Sequence, residues 1–234
     1  LCIYYAVWMF RRGSQDAAEQ GLQAAEKVLN SGIDSTNVSS IKSRNLTPDA
    51  ARKRLLGIVA AMRALTASYR GDSAEIIPHA HRALDYLPKD ELAWRSTAAI
   101  SLGDAHSYLG DMEAAYRAQL EALDICIAAG NLFVILYANL NLAITLRQSG
   151  RLKQAQEICQ QQMHLANENG MGHTGVAGWI SSIWGEVQAE LNDLDVAIHQ
   201  AKRGLELTEH GGDVMMLGWS YLCLMRVLVS RGDV

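Results

Sequence analysis

The sequence predicts an all-α fold in which antiparallel helical hairpins, each about 40 residues long, stack into a right-handed superhelix. The first observation behind this is a turn-favouring residue followed by a polar one, which recurs along the 234 residues. These pairs are Gly13-Ser14, Gly71-Asp72, Gly110-Asp111, Gly150-Arg151, Asn192-Asp193 and Gly232-Asp233. The last four intervals are 39, 40, 42 and 40 residues. So constant a period is typical of stacked helical hairpins rather than of one globular core.

The second observation is that small residues tend to occupy two fixed positions after each turn residue. Five positions after it lie Ala18, Ile76, Ala115, Ala155 and Ala197, and twelve positions after it lie Ala25, Ala83, Ala122, Gln162 and Gly204. Because seven residues make nearly two helical turns, both positions lie on one face, where small side chains let a second helix approach closely. A hydrophobic content of 49% with only three prolines also favours helices.

Turn and capping residues divide the chain into eleven helices. The predicted ranges are about 1–12, 15–30, 49–69, 74–87, 91–109, 112–129, 132–149, 152–169, 173–191, 194–210 and 213–230. Residues 31–49 break the period and, being rich in Ser, Thr and Asn, predict a surface loop insertion. Within it, Thr47 and Pro48 suit the N-cap and the first position of the next helix.

The chain is expected to form one helical-repeat domain over residues 1–234. Both of its ends fall within the repeat pattern, which indicates a fragment of a longer protein. A net charge of −4 without a Lys/Arg block predicts no direct nucleic-acid contact. No apolar run reaches about 18 residues, so no membrane span is expected.

Candidate reactive side chains do not form a catalytic pattern. The four cysteines are far apart, at Cys2, Cys126, Cys159 and Cys223, which fits buried free thiols and a cytoplasmic location. No Ser/His/Asp, Cys/His or metal-ligand spacing is present. The sequence therefore predicts neither an enzyme nor a bound cofactor or metal.

Aromatic residues recur thirteen positions before the turn residue. This column holds Ile58, Thr97, Tyr137, Trp179 and Trp219. If the column faces the concave groove, its three rings suit an extended ligand about 10 Å long, such as an oligosaccharide, a peptide or an aromatic compound. The alternative is that the rings pack between repeats and meet no ligand.

Charged residues recur six positions before the turn residue. This second column holds Leu65, Asp104, Ile144, Glu186 and Arg226, and neighbouring columns add Asn141 and Arg147. Trp179 and Glu186 are seven residues apart on one helix face, and Trp219 and Arg226 repeat that spacing. The alternative here is a Glu186–Arg226 ion pair on a solvated wall, which would contribute only about 0–1 kcal/mol. The candidate ligand site comprises Tyr137, Asn141, Arg147, Trp179, Glu186, Trp219 and Arg226.

The repeat resembles known families. Leu102-Gly103, Gly110-Asp111 and Ala115 resemble a tetratricopeptide (TPR) repeat. The opening residues, from Leu1 to Ala6, Asp16 to Glu19 and Leu22 to Glu26, resemble the start of the repeat domain of MalT-like, large LuxR-type transcription activators. The resemblance implies the sensor segment of such a regulator, which would cooperate with a nucleotide-binding switch and a helix-turn-helix elsewhere in the same protein.

The resemblance and the aromatic column together suggest a regulatory function. A small-molecule inducer, such as a sugar or an aromatic compound, or a peptide is expected on the concave face. The alternative is a scaffold that docks proteins or peptides without a small-molecule ligand.

Overall fold

The computed structural model describes residues 1–31 and 47–233, and these residues form eleven α-helices and no strand. The helices are α1 (Cys2–Arg11), α2 (Gln15–Asn30), α3 (Pro48–Arg70), α4 (Ser73–Tyr86), α5 (Leu92–Tyr108), α6 (Met112–Ala129), α7 (Leu132–Gln148), α8 (Leu152–Glu168), α9 (Gly175–Glu190), α10 (Leu194–Gly211) and α11 (Val214–Arg231). Each helix begins and ends within two residues of its predicted bounds. The all-α class and the succession of hairpins are therefore confirmed. Most of the predicted insertion at 31–49 lies outside the described residues.

The helix ends follow the predicted turn chemistry. Thr47 caps α3, because its hydroxyl oxygen accepts a hydrogen bond from the Ala50 backbone N–H at 3.3 Å and Pro48 follows it. The turn residue of the fifth hairpin, Asn192, has a φ of 64° and is the one non-glycine in the left-handed region among the residues described. Glycine holds the corresponding turns, as at Gly110 with a φ of 81°, because a side chain is strained there.

The described helices form two compact units, Leu1–Ala129 and Gly130–Val234. In the first unit, buried alanines such as Ala61, Ala80 and Ala98 bring α3, α4 and α5 together. In the second unit, Leu140 of α7 and Ile180 of α9 are among the residues of a larger hydrophobic core. We call α7, α9 and α11 the first helices of the second unit, and α8 and α10 its second helices.

Small residues allow the two helices of a hairpin to approach closely, as predicted. Ala197 and Gly204 of α10 are both buried against α9. A Cβ atom added to Gly178 of α9 would lie 2.8 Å from the carbonyl oxygen of Gly204 and 2.8 Å from the Cβ of Leu207. A side chain at either glycine would therefore force the helices apart.

Helix α11 is, within residues 1–31 and 47–233, the one helix long and apolar enough to cross a membrane by length and composition. It packs within the second unit through Met216, Ser220, Cys223 and Val227, which are buried. The Ser182 hydroxyl of α9 donates a hydrogen bond to the Ser220 hydroxyl at 2.8 Å. The core helix of a folded repeat has the same length and apolar character, so these two properties assign no membrane span.

Candidate functional site

All seven candidate residues lie in the second unit and on its first helices. They are Tyr137, Asn141 and Arg147 on α7, Trp179 and Glu186 on α9, and Trp219 and Arg226 on α11. The structure places six of them in two groups, one of three charged side chains and one of three aromatic rings, and Asn141 belongs to neither. We call the surface formed by the accessible side chains of Tyr137, Trp219 and Arg226 the first-helix face.

The charged group is built around the carboxylate of Glu186, whose side chain is only 2% exposed. Arg226 Nη1 donates to Glu186 Oε1 at 2.7 Å, and Arg147 Nη2 lies 3.4 Å from Glu186 Oε2. Arg147 Nη1 also donates to Oε1 of Glu190 at 2.5 Å. The carboxylate on α9 therefore binds one guanidinium from α7 and one from α11.

Glu186 and Arg226 form an ion pair, but only Arg226 lies in solvent, because the Glu186 side chain is buried. The spacing of the two residues predicts the contact, whereas the burial of Glu186 also depends on how α7 and α11 pack on either side of α9. Removing a carboxylate from water is costly unless cations compensate its charge. The two arginines supply this compensation from opposite sides.

The two arginines differ in their access to solvent. The Arg147 side chain is 12% exposed, and the Arg226 side chain is 48% exposed. Burial opposes the charged form of Arg226, yet its hydrogen bond to Glu186 and the charge of Glu186 outweigh this and raise the pKa of the guanidinium. Arg226 is therefore a permanent cation at the edge of a buried ion network.

The rings of the aromatic group pack against one another and against the hydrophobic core, so they do not all line an open groove. The rings of Tyr137 and Trp179 lie 5.1 Å apart, between centroids, at an interplanar angle of 43°. Trp179 is 6% exposed and belongs to the hydrophobic core, whereas Tyr137 and Trp219 pack against that core and remain partly exposed. Trp179 thus packs between first helices, and Tyr137 and Trp219 are the rings with accessible surface.

Several polar atoms in this region are buried without a hydrogen-bond partner among the described residues. They include the indole nitrogens of Trp179 and Trp219 and the Nε of Arg147. The amide of Asn141 instead donates to the carbonyl oxygen of Tyr137 at 2.9 Å, within its own helix. Buried donors without a partner are uncommon in folded proteins.

The sequence did not indicate a second buried acid, Asp104 of α5, as a functional residue. Its carboxyl group lies inside the first unit, although the residue keeps part of its surface exposed. It accepts hydrogen bonds from the Ser68 hydroxyl and from Gln119 Nε2, the latter at 3.1 Å. Burial raises its pKa to about 7, and these two neutral donors only partly offset the effect. The column of Asp104 is visible in the sequence, but only the packing shows that its two hydrogen-bond partners, Ser68 and Gln119, are neutral.

The raised pKa of Asp104 gives a testable pH dependence. The folded chain holds this proton between about pH 4 and 7, where the unfolded chain releases it, so its contribution to stability falls as pH rises through that window. The loss is up to about 1.4 kcal/mol per pH unit. We expect Asp104→Asn, which can accept from Gln119 and donate to Ser68, to remove this loss. Urea unfolding of both proteins from pH 5 to 8 measures it, and parallel pH profiles would contradict it.

Comparison with known proteins agrees with this architecture. A family model described as the MalT-like TPR region matches residues 57–234. No curated protein sequence matches the chain. Three similar solved structures have the same kind of fold but only 13–16% sequence identity to the chain. At this identity the likeness concerns the fold alone.

The first of these structures is a Rap protein complexed with competence and sporulation factor, at 15% identity and a TM-score of 0.72. The alignment covers 99% of this chain and 63% of that one, so this chain spans less than two thirds of the length of that Rap protein. The second is the apo form of RapI, at 13% identity and a TM-score of 0.63, covering 99% and 83% of the two chains. The third is BtubC (BKLC) from P. vanneervenii, at 16% identity and a TM-score of 0.57, covering 91% and 85%.

Proposed function

Because the chain belongs to the family of MalT-like TPR regions, we propose that it is the ligand-sensing part of a larger regulator. The regulator would be a cytoplasmic bacterial transcription activator of the large LuxR type. The chain acts in it as a regulatory helical-repeat domain and not as an enzyme. Its inducer binds on the first-helix face of the second unit.

The observation that carries this proposal is the ion network centred on Glu186. It joins three successive first helices through side chains from α7, α9 and α11. A hydrophobic residue could fill the same space without desolvating a charge, so stability alone does not explain why the carboxylate is buried. The ion pairs instead control how neighbouring repeats are arranged, because they join side chains from α7, α9 and α11.

A ligand on this face contacts helices that the ion network holds together. Arg226 on α11 is exposed at one side, and Trp219 and Tyr137 offer partly exposed rings on α11 and α7. A ligand that binds one arrangement of these helices more tightly than another shifts the population toward that arrangement. Other domains of the same regulator would then respond to the altered repeat.

A fluorescence titration tests the proposed function. The second unit contains Trp179, Trp184 and Trp219, so its fluorescence responds to binding on this face. We expect maltotriose, phenylacetate or a pentapeptide to give a saturable change that Trp219→Ala abolishes. Trp94→Phe, in the first unit, is the control and should retain the response. A response that survives Trp219→Ala, or none from the whole panel, would reject an inducer site here.

A second candidate function is a docking scaffold for a protein or peptide, without a small-molecule ligand. The burial of Trp179 favours it, because one of the three predicted rings is then largely withdrawn from a small ligand. The similar Rap protein was solved in complex with competence and sporulation factor, which also agrees with docking. Under this function, Tyr137→Ala would weaken capture of a partner while the panel of small molecules gives no response.

A further inference from the structure

The exposed guanidinium of Arg226 has hydrogen-bonding capacity in excess of its ion pair. A guanidinium carries five N–H donors, and Arg226 uses one nitrogen, Nη1, to contact Glu186. Its other donors have no acceptor within residues 1–31 and 47–233. Because the side chain is 48% exposed, a ligand can reach these donors without breaking the contact to Glu186.

Two of the other three charges of the network are largely buried, and the third, Glu190, is 43% exposed but paired with Arg147. The carboxylate of Glu186 is 2% exposed and is flanked by two arginines, so a cationic ligand would have to displace one of them. Arg147 already contacts both Glu186 and Glu190 and is 12% exposed. Arg226 is therefore the exposed cation of the network that has unused donors, and these donors suit an anion.

The position of Trp219 defines the other end of the ligand. Trp219 and Arg226 are seven residues apart on α11, which is nearly two turns and about 10 Å along the helix axis. Trp219 is partly exposed and packs against the hydrophobic core, so its accessible surface suits an apolar group. A guanidinium fork matches a carboxylate better than any neutral acceptor.

We propose that the ligand of the first-helix face carries a carboxylate that binds the free donors of Arg226 and an apolar part that lies against Trp219, about 10 Å away. This inference rests on the proposed function and specifies the chemistry of its ligand. The carboxylate belongs either to the C-terminus of a peptide or to a free organic acid. Both sources present the same two oxygens to Arg226.

Matched acids and amides test this inference on the whole chain. The probes are 6-phenylhexanoate and 6-phenylhexanamide, and the pentapeptide Gly-Ala-Leu-Ala-Leu with a free or an amidated C-terminus. We expect the acid of at least one pair to bind about tenfold more tightly than its amide, as measured by fluorescence titration. Whichever pair shows the difference identifies the source of the carboxylate.

Variants then assign the preference to Arg226. Arg226→Gln should reduce the ratio of acid to amide affinity from about ten to about one. Arg203→Gln, on α10 of the same unit, is the matched control and should keep the ratio. Circular dichroism and urea unfolding verify that both variants are folded.

The outcomes separate this inference from the proposed function. If acids and amides bind with equal affinity and Trp219→Ala still abolishes binding, the ligand needs no carboxylate and this inference is rejected. The proposed inducer site is then still supported. Absence of binding by either acid up to about 5 mM also overturns the inference. In that case a saturable response to maltotriose that requires Trp219 would still support the proposed function.

Discussion

Replacing Glu186 with alanine is expected to lower the free energy of unfolding by about 3 kcal/mol, near the lower end of the range for breaking a buried ion pair. The loss arises because Arg147, only 12% exposed, keeps its charge without its most buried partner. Arg226 contributes less, since it is 48% exposed and water can solvate it. Urea unfolding followed by tryptophan fluorescence measures the change, because three of the five tryptophans lie in the second unit.

Glu190→Ala is the matched control for this prediction. Glu190 contacts the same arginine through Arg147 Nη1, but its side chain is 43% exposed. We therefore expect a loss of only about 0–1 kcal/mol. Equal losses for the two variants would mean that the burial of Glu186 has no energetic consequence, contrary to the role assigned to the network.

Gly178→Ala and Gly218→Ala are expected to change stability in opposite directions, although both glycines lie fourteen positions before their turn residues. A Cβ atom at Gly178 meets the backbone of α10 at 2.8 Å, whereas nothing lies within 4 Å of one at Gly218. Overpacking at Gly178 should cost about 1–3 kcal/mol. Alanine at Gly218 should instead stabilise α11 by about 0.5–1 kcal/mol, through reduced chain entropy in the unfolded state.

Thermal unfolding distinguishes these two variants. For a chain of this size, each kcal/mol corresponds to about 2–4 °C in the melting temperature. Gly178→Ala should therefore melt several degrees below the parent chain, and Gly218→Ala should melt slightly above it. Two upward shifts would show that helix propensity, rather than the close approach of α9 and α10, controls both positions, and two downward shifts would contradict the prediction for Gly218.

The helices could be predicted from the sequence because their determinants are local. A turn residue such as Gly110, followed by Asp111, ends one helix and begins the next without help from distant residues. The small residue Ala197 indicates the contact between α9 and α10 in the same way. These signals repeat, so an error at one hairpin could be recognised from the others.

The candidate site was predictable only in part because burial depends on several helices together. Periodicity places Glu186 and Arg226 in one column, and the structure confirms their contact at 2.7 Å. Periodicity does not show that Arg147 reaches the same carboxylate, or that Trp179 turns into the core against Tyr137. Asp104 shares the column of Glu186, yet its polar partners are neutral rather than cationic.

The ion network also restricts how this array can evolve. Removal of one hairpin from the chain would delete about 40 residues at once. Arg226 and Glu186 are separated by nearly that distance, as are Glu190 and Arg147. Deletion of the hairpin between them would leave a charged side chain without its partner. The number and order of repeats in this part of the chain therefore matter for charge pairing as well as for hydrophobic packing.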